Sequence, residues 1–207
     1  MRILITAGGT REYIDPVRFI SNASSGRMGY ALARAALKAG HTATLITAPT
    51  SLRVPKDARV VKVETTAQIF EAVKKHFRWC DCLIMAAAVA DYTPARPAKT
   101  KIKKTGQSMT LQLKPTPDIL KWAARHKTKR QIVVGFALED KALRTRAEQK
   151  MRDKNLDMII ANKPPAIGAD KSTVHLKRQK SHWTKIEHVT KATIAKRIIR
   201  LIDNYVS

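Results

Sequence analysis

The sequence of 207 residues has few aromatic residues, only two cysteines and no long apolar run. A membrane-spanning helix needs about 20 consecutive apolar residues, so we expect no such helix. The segment RILIT (2–6) resembles a strand and follows the N-terminus at once, without the apolar region of a signal peptide. We therefore expect a cytoplasmic protein. The length and the hydrophobic content of 44% predict one globular domain, residues 1–207.

Metal-binding and redox motifs are also missing. The two cysteines, Cys80 and Cys82, are separated by one residue, whereas a zinc or redox pair usually has two between the cysteines and needs further ligands. We interpret them as small buried apolar residues. The six histidines are scattered and form no metal-binding pattern. We expect no metal site built by the protein itself.

Acidic residues are scarce. The chain has 16 Asp and Glu residues and 40 Lys and Arg residues, which gives a formal net charge of +24. Such a field attracts polyanions, so a basic nucleic-acid-binding module is an alternative function. The lysines, however, are spread through every segment and are not interleaved with aromatic residues that would stack on bases. A generally basic surface is the favoured interpretation, and we expect no specific nucleic acid partner.

Short apolar segments alternate with amphipathic helical segments, which is typical of βαβ units and a parallel sheet. The sequence predicts an α/β fold with a doubly wound, mainly parallel sheet, helices on both faces and a small antiparallel edge extension. The predicted strands are RILIT (2–6), TATLIT (42–47), RVVKVE (59–64), CLIMAAA (82–88), QIVVGFA (131–137) and LDMIIA (156–161).

Capping signals and periodicity predict the helices between and after these strands. They are MGYALARAALKAG (28–40), TTAQIFEAVKKHF (65–77), PDILKWAARH (117–126), a helix carrying Lys150 and Lys154, and TKATIAKRIIRLIDNYV (190–206). The first closes with Gly40, and the second opens with a capping box of Thr65 and Gln68. The third has Thr116 as its cap and Pro117 in its first turn.

Two segments interrupt this alternation. MTLQLK (109–114) has the pattern of an exposed antiparallel strand and follows a lysine-rich stretch, and we call residues 93–114 the flap. TVHLKRQKSHWTKIE (173–187) predicts a hairpin, spanning about 172–187, with its turn near Gln179 to Ser181. We expect both additions at the edge of the sheet.

The connection between the first strand and the first helix contains two turns that could bind phosphate through backbone N–H groups. They are Gly8-Gly9-Thr10 and Ser24-Ser25-Gly26. A G-x-G-x-x-G fingerprint is missing, and about 17 residues join the strand to the helix instead of the usual two to six. A nicotinamide-dependent reductase is therefore disfavoured. Within this loop, Asn22 is either a hydrogen-bonding site residue or an ordinary turn residue.

Two further segments carry chemistry. AAAVADY (86–92) ends a strand with small residues that either admit a flat ligand or pack beneath a helix, and Asp91 places a carboxylate at the same rim. The flap lysines follow this carboxylate: Lys99, Lys101, Lys103 and Lys104. Lys150 and Lys154 share a helix face and repel one another. They either bind an anion between them, which would relieve this repulsion, or form an ordinary solvated basic face.

Together these motifs resemble phosphopantothenoylcysteine synthetase. The resemblance depends on ITAGGTREYIDPVRFISNASSGRMG, AAAVADY followed by KIKK, TPDIL, VGFALED and KNLDMIIAN. The motifs occur in the family's order across residues 3–162. The remaining segment contributes little to the resemblance.

The resemblance implies a Rossmann-like synthetase that forms a homodimer and acts in coenzyme A biosynthesis. In the bacterial type, the carboxylate of 4′-phosphopantothenate attacks the α-phosphate of CTP and releases pyrophosphate. The amine of L-cysteine then attacks the acyl-cytidylate and releases CMP. Mg²⁺ is expected on the nucleotide, held mainly by the triphosphate and water, and no flavin is expected. The chain resembles a free-standing synthetase, so a separate decarboxylase is a candidate partner.

Roles for individual residues come from the same resemblance. It implies that Asn22 binds the acyl-nucleotide intermediate and assists the attack of cysteine on it. It implies that Lys101 neutralises the charge that develops on the phosphates. It implies nucleotide contacts at Met85, Ala86, Ala87, Asp91, Lys101, Pro117, Asp118, Ile119, Leu120, Phe136, Lys150 and Lys154. The sequence departs from the family's usual residues at Arg27, Leu138 and Asp140. The residues themselves predict neither Phe136 nor a choice of CTP over ATP.

Overall fold

The computed structural model describes residues 1–205, which form twelve strands, five α-helices and one 3₁₀ turn. The strands are β1 (Arg2–Ala7), β2 (Arg11–Tyr13), β3 (Phe19–Ser21), β4 (Thr42–Thr47), β5 (Arg59–Lys62), β6 (Cys82–Met85), β7 (Tyr92–Pro94), β8 (Leu113–Pro115), β9 (Ile132–Leu138), β10 (Met158–Asn162), β11 (Lys171–Arg178) and β12 (Thr184–Thr190). The helices are α1 (Arg27–Lys38), α2 (Thr66–Phe77), α3 (Ile119–His126), α4 (Leu143–Asp153) and α5 (Lys191–Asp203), and the 3₁₀ turn is Pro164–Ala166.

Eight strands form one sheet in the order β12-β11-β10-β9-β6-β1-β4-β5. The pairs from β10 to β5 are parallel, and β11 and β12 add an antiparallel hairpin at the edge beside β10. The chain moves from β1 outward to β4 and β5, then returns to β6 on the other side of β1. This reversal between β1 and β6 is the switch point of a doubly wound sheet. The predicted fold and the edge hairpin are confirmed.

Apolar side chains bury both faces of this sheet. Residues of α1 and α5 share one core with one side of the strands. Residues of α2, α3 and α4 share the other core with the opposite side. Strands covered on both faces need apolar residues throughout, which explains the continuous apolar run of β6.

Helix α1 packs unusually close to β1 at Gly29. A Cβ atom at Gly29 would lie 2.5 Å from the Cβ of Ala7 and 2.8 Å from the carbonyl oxygen of Thr6. Neither atom belongs to a flexible side chain that could move away. Only glycine therefore permits this spacing between the helix and the strand.

The helix starts agree with the sequence at α2 but not at α3. The capping box of Thr65 and Gln68 is present at α2. At α3 the predicted cap was wrong, because Asp118 accepts the N–H of Lys121 and the helix begins at Ile119. The hydroxyl of Thr116 donates instead to the carbonyl of Ala90 at 2.6 Å. Thr116 thereby ties the chain to the loop after β6 and is not available as a cap.

The predicted strand at 109–114 was largely wrong. Only β8 forms there, and it pairs with β7 in a separate two-stranded antiparallel ribbon instead of extending the edge of the main sheet. The backbone of residues 109–112 adds one bond to this ribbon, from the N–H of Ala95 to the carbonyl of Gln112 at 2.9 Å. A second ribbon, formed by β2 and β3, lies within the long connection after β1 and was not predicted.

The flap is held at its lysine-rich part by the buried carboxylate of Asp15. This carboxylate accepts the N–H groups of Val17 and Arg18, each at 2.9 Å, and forms an ion pair with the Arg18 guanidinium. It also accepts the N–H of Ile102 at 3.1 Å, and Arg18 donates to the Ile102 carbonyl at 2.7 Å. The hydrogen bond from Arg18 holds the pKa of Asp15 well below its usual range. The backbone N–H groups lower this pKa further, whereas burial acts to raise it.

Cys80 and Cys82 are buried free thiols, as predicted. Burial, together with the nearby charge of Asp81, raises the pKa of Cys80 to about 12. Burial also raises the pKa of Cys82 well above its usual value. Neither thiol is ionised near neutral pH.

The last helix begins at Lys191 and ends at Asp203, earlier than predicted. Val206, the last residue of the predicted segment, lies outside the described residues. Within residues 1–205, the helices are too short or too polar to cross a membrane.

The contact at Gly29 predicts a stability defect. We expect Gly29→Ala to lower the free energy of unfolding by about 2 kcal/mol, because the added methyl group forces α1 away from β1. Urea denaturation would measure this change. Lys38→Ala, at an exposed position of the same helix, should leave stability nearly unchanged. A more stable Gly29→Ala protein, as helix propensity alone would give, would contradict the packing argument.

The Asp15 contacts predict a flap that loosens when the carboxylate is removed. In Asp15→Asn we expect hydrogen exchange at the Ile102 amide to be at least about tenfold faster, because this N–H loses a charge-assisted bond. Asp57→Asn, at an exposed aspartate, is the matched control. Equal exchange in the wild type and Asp15→Asn would show that Asp15 does not hold the flap.

The same carboxylate predicts a pH dependence of stability. Because the pKa of Asp15 is lower in the folded state than its unfolded value near 3.9, the ionised group stabilises the fold above about pH 4. That contribution is lost as the pH falls toward the folded-state pKa. The difference in melting temperature between the wild type and Asp15→Asn should therefore be largest near pH 7 and shrink below about pH 4.

Candidate functional site

A crevice opens at the carboxyl edge of the sheet, at the switch point between β1 and β6. Its volume is about 540 Å³. One side is formed by the end of the loop after β1 and the start of α1, and the other by the loop after β6 and the ends of β9 and β10. A larger cavity of about 910 Å³ lies beyond β4 and β5, but it contains none of the predicted site residues. The crevice at the switch point is therefore the candidate site.

Backbone hydrogen bonds join the two loops beside this crevice. The N–H of Ala88 donates to the carbonyl of Gly8 at 2.8 Å, and Gly9 forms a parallel bridge with Ala88. The Thr10 hydroxyl accepts the N–H of Ala90 at 3.0 Å and contacts the Thr66 hydroxyl at 3.1 Å. These bonds occupy the Thr10 side chain, so the first predicted phosphate turn, Gly8-Gly9-Thr10, serves to hold the loops together and does not line the crevice.

Asn22 lies where the two loops meet. Its side-chain amide donates to the carbonyls of Ala88 at 3.3 Å and Val89 at 3.0 Å. These bonds use the Nδ2 donors, while the Oδ1 atom takes no part in them. The geometry fixes the orientation of an exposed asparagine within the crevice, a stronger constraint than an ordinary turn requires.

The second predicted phosphate turn does line the crevice. Ser24, Ser25 and Gly26 lead directly into α1, and Gly26 occupies the N-cap position without a side-chain cap. The first turn of α1 contains no acidic residue. The N–H groups at this helix start therefore remain suited to an anionic ligand.

The lining of the crevice also contains Phe136 and Lys150. The Lys150 ammonium donates to the carbonyl of Phe136 at 2.8 Å. Burial lowers the pKa of Lys150, and the charge of Lys154 lowers it further. Lys154 itself forms an ion pair with Asp118 at 3.1 Å. The repulsion expected between the two lysines is thus partly relieved by groups of the protein.

Asp118 is held as a carboxylate by its neighbours. Burial opposes its ionisation, but the N–H of Lys121 and the ammonium of Lys154 outweigh that effect, so the pKa of Asp118 is lowered. The carboxylate joins the start of α3 to the end of α4. Asp118 therefore has a structural role as helix cap and ion-pair partner.

The structure brings together only part of the predicted set. The residues that line the crevice are Asn22, Ser24, Ser25, Gly26, Ala86, Ala87, Asp91, Phe136 and Lys150. The predicted residues outside its lining are Gly8, Gly9, Thr10, Met85, Lys101, Pro117, Asp118, Ile119, Leu120 and Lys154. Met85 is buried in the core beneath the crevice, and Lys101 is exposed on the flap.

The crevice also has residues that the sequence did not predict as site residues. They include Arg27, Asn162, Ser172 and Lys191. Asn162 ends β10 and could have been found by following each parallel strand to its carboxyl end. Ser172 and Lys191 come from the edge hairpin and the helix after it, whose position follows only from the sheet order.

Residues 1–205 match the model of the family described as "DNA/pantothenate metabolism flavoprotein C-terminal domain". The chain is 45% identical over 206 residues to a protein named cysteine/cysteine sulfinic acid decarboxylase from an unknown prokaryotic organism, covering 97% of this chain and 57% of that protein. It is 42% identical over 205 residues to the coenzyme A biosynthesis bifunctional protein CoaBC of Bacillus subtilis (strain 168), covering 97% of this chain and 50% of that protein.

A solved structure is similar over the whole chain. The C-terminal domain of a coenzyme A biosynthesis bifunctional protein CoaBC superposes with a TM-score of 0.86 at 38% identity, covering 99% of this chain and 95% of that one. The chain spans about half the length of the two curated relatives. It belongs to the family of DNA/pantothenate metabolism flavoprotein C-terminal domains, which includes the C-terminal domain of CoaBC.

Proposed function

We propose that the chain is a phosphopantothenate–cysteine ligase that uses CTP and acts in coenzyme A biosynthesis. The observation that carries the proposal is the crevice at the switch point. It brings Asn22, the Ser24–Gly26 turn, Asp91, Phe136 and Lys150 to one place, although they come from distant parts of the sequence. The names of the CoaBC relatives support the same pathway.

In the first step, the carboxylate of 4′-phosphopantothenate attacks the α-phosphate of CTP, and pyrophosphate leaves. In the second step, the amine of L-cysteine attacks the acyl carbon of the acyl-cytidylate, CMP leaves, and the amine nitrogen gives up one proton. The carboxylate oxygen that attacked phosphorus departs with CMP, so the net result is one amide bond. The protein's contribution is to position these groups and to stabilise the developing negative charge.

Asn22 is suited to hold the acyl-cytidylate. Its Nδ2 bonds to Ala88 and Val89 fix the side chain, so its remaining hydrogen-bonding capacity is oriented before a ligand binds. The start of α1 offers N–H groups to the phosphates, and the ring of Phe136 offers a surface for a nucleobase. The identity of the base as cytosine comes from the family resemblance.

Mg²⁺ fits the chemistry of the crevice as an ion carried by the nucleotide. Mg²⁺ prefers oxygen ligands and commonly binds through substrate phosphates, water and one or two carboxylates. The carboxylates that line the crevice are those of Asp91 and Glu139. Bound to the triphosphate, the ion would neutralise negative charge and favour departure of pyrophosphate.

We infer that Lys101 acts in the crevice of a second copy of the chain. The flap that carries it is held by Asp15 and Arg18, and Lys101 does not line the crevice of its own chain. We propose a homodimer in which the flap of one subunit reaches the crevice of the other.

Exposed apolar side chains near the flap support that dimer. They are exposed for 40 to 59% of their surface and lie on the two small ribbons and the segments beside them: Val17, Phe19, Tyr92, Met109 and Leu113. A group of large exposed apolar side chains in one region is typical of an interaction surface. A cytoplasmic location completes the proposal.

Pyrophosphate release tests the ligase activity directly. With Mg²⁺, 4′-phosphopantothenate and cysteine, we expect CTP to support release at least about tenfold faster than ATP. Omitting phosphopantothenate should abolish the signal, because its carboxylate is the attacking group. Release that is independent of phosphopantothenate would contradict the proposed reaction.

The two proposed catalytic residues should affect different steps. Lys101→Ala should slow formation of the acyl-cytidylate by about a hundredfold, because charge on the phosphates is no longer neutralised. Asn22→Ala should let the acyl-cytidylate accumulate, because its capture by cysteine is slowed. Rapid quench and chromatography of the labelled intermediate would separate the two steps.

Lys103→Ala, which removes an exposed lysine of the same flap, is the matched control and should retain activity. Mixed dimers of Lys101→Ala and Asn22→Ala subunits test the position of the flap. If Lys101 acts in the partner's crevice, each mixed dimer has one intact site and recovers activity. Wild-type rates in both single variants would refute the assigned roles.

A further inference from the structure

One end of the crevice lies between the starts of two helices. Its wall there includes Arg27 at the start of α1, Lys191 at the start of α5 and Ser172 on β11. The turn at residues 166–168 closes this end. The side chains of Arg27, Ser172 and Lys191 have no role in the mechanism proposed above.

The two helix starts present positive potential to this corner. Helices α1 and α5 pack side by side on the same face of the sheet, and both begin at its carboxyl edge. Neither has an acidic residue in its first turn. Because helix N-termini carry partial positive charge, the pair favours an anion there.

Ser172 is the second and independent sign of a ligand. The residue is 7% exposed and lines the crevice. Among the described residues, its Oγ atom is a buried side-chain oxygen without a hydrogen-bond partner. Leaving a buried hydroxyl unpaired is unfavourable, and a ligand oxygen in the crevice would satisfy it.

Two cations line the same crevice and reach one turn of its wall. The Lys191 ammonium donates to the carbonyl of Ala166 at 2.9 Å, which uses one of its three N–H donors. Arg27 donates to the carbonyl of Gly168 at 3.2 Å and forms an ion pair with Asp170 at 2.6 Å. Both side chains therefore reach the same turn, and each keeps donors for another acceptor.

The electrostatics of the corner agree with an anionic ligand. Burial lowers the pKa of Lys191, the charge of Arg27 lowers it further, and Asp170 partly compensates. Asp170 is 90% exposed at its side chain, so its charge is well screened by solvent. An anion between the cations would relieve their repulsion.

We propose that Ser172, Lys191 and Arg27 form a subsite for a phosphoryl group. The group belongs either to the terminal phosphates of the nucleotide or to the phosphate of phosphopantothenate. Both ligands have the same chemistry, a multiply charged tetrahedral oxyanion that accepts several hydrogen bonds. The identity of these substrates rests on the proposed ligase function, whereas the affinity of the corner for a phosphoryl group does not.

Calorimetric titration with inorganic pyrophosphate tests the subsite without any reaction. We expect Lys191→Met to weaken binding by about tenfold or more and Ser172→Ala by several-fold, because each loses a hydrogen bond to a charged group. Lys196→Met, at an exposed position of the same helix, is the matched control and should bind as the wild type does. Melting temperatures would verify that each variant folds.

Steady-state kinetics in Lys191→Met identify the source of the phosphoryl group. A higher KM for CTP alone assigns the subsite to the nucleotide, and a higher KM for phosphopantothenate alone assigns it to that substrate. Should Lys191→Met fail to fold, Ser172→Ala carries both measurements.

The inference is overturned if Lys191→Met and Ser172→Ala bind pyrophosphate as the wild type does. It is also overturned if Lys196→Met weakens binding equally, since general surface charge would then be responsible, or if neither KM changes. A protein without ligase activity that still binds pyrophosphate through Lys191 would refute the proposed function and retain the subsite.

Discussion

The hydrogen bonds between the loop after β1 and the loop after β6 hold the candidate site together. Gly8 and Thr10 accept the N–H groups of Ala88 and Ala90. Farther along the same loop, the side chain of Asn22 donates to the carbonyl of Ala88. A connection of this length would otherwise sample many conformations. These bonds fix the side chain of Asn22 and the path of the chain into α1.

Much of the fold could be predicted because buried parallel strands require continuous apolar segments. The strand at 42–47 was predicted with its observed bounds, and the edge hairpin was found from its alternating pattern. The start of α3 could not be predicted, because Thr116 and Asp118 are both good capping residues. A tertiary bond from Thr116 to Ala90 decides between them, and no local pattern reveals that bond. Likewise, residues 109–112 alternate like a strand but lack a neighbouring strand in the sheet.

The candidate site was predictable where it follows the parallel strands. Asn22, Asp91 and Lys150 belong to segments that come after such strands, and the switch point brings these segments to one edge. Ser172 and Lys191 could not be found in this way, because the strand carrying Ser172 is antiparallel and Lys191 begins the helix after the hairpin. Their meeting depends on the sheet order, which sequence periodicity does not determine.

The burial of both cysteines also determines how the core responds to small thiols and disulfides. Thiol–disulfide exchange requires a thiolate, and the raised pKa values of Cys80 and Cys82 leave almost none near neutral pH. L-cysteine and its disulfide, cystine, would therefore find no reactive partner at either position. S-thiolation of the core by small disulfides is therefore disfavoured at both positions.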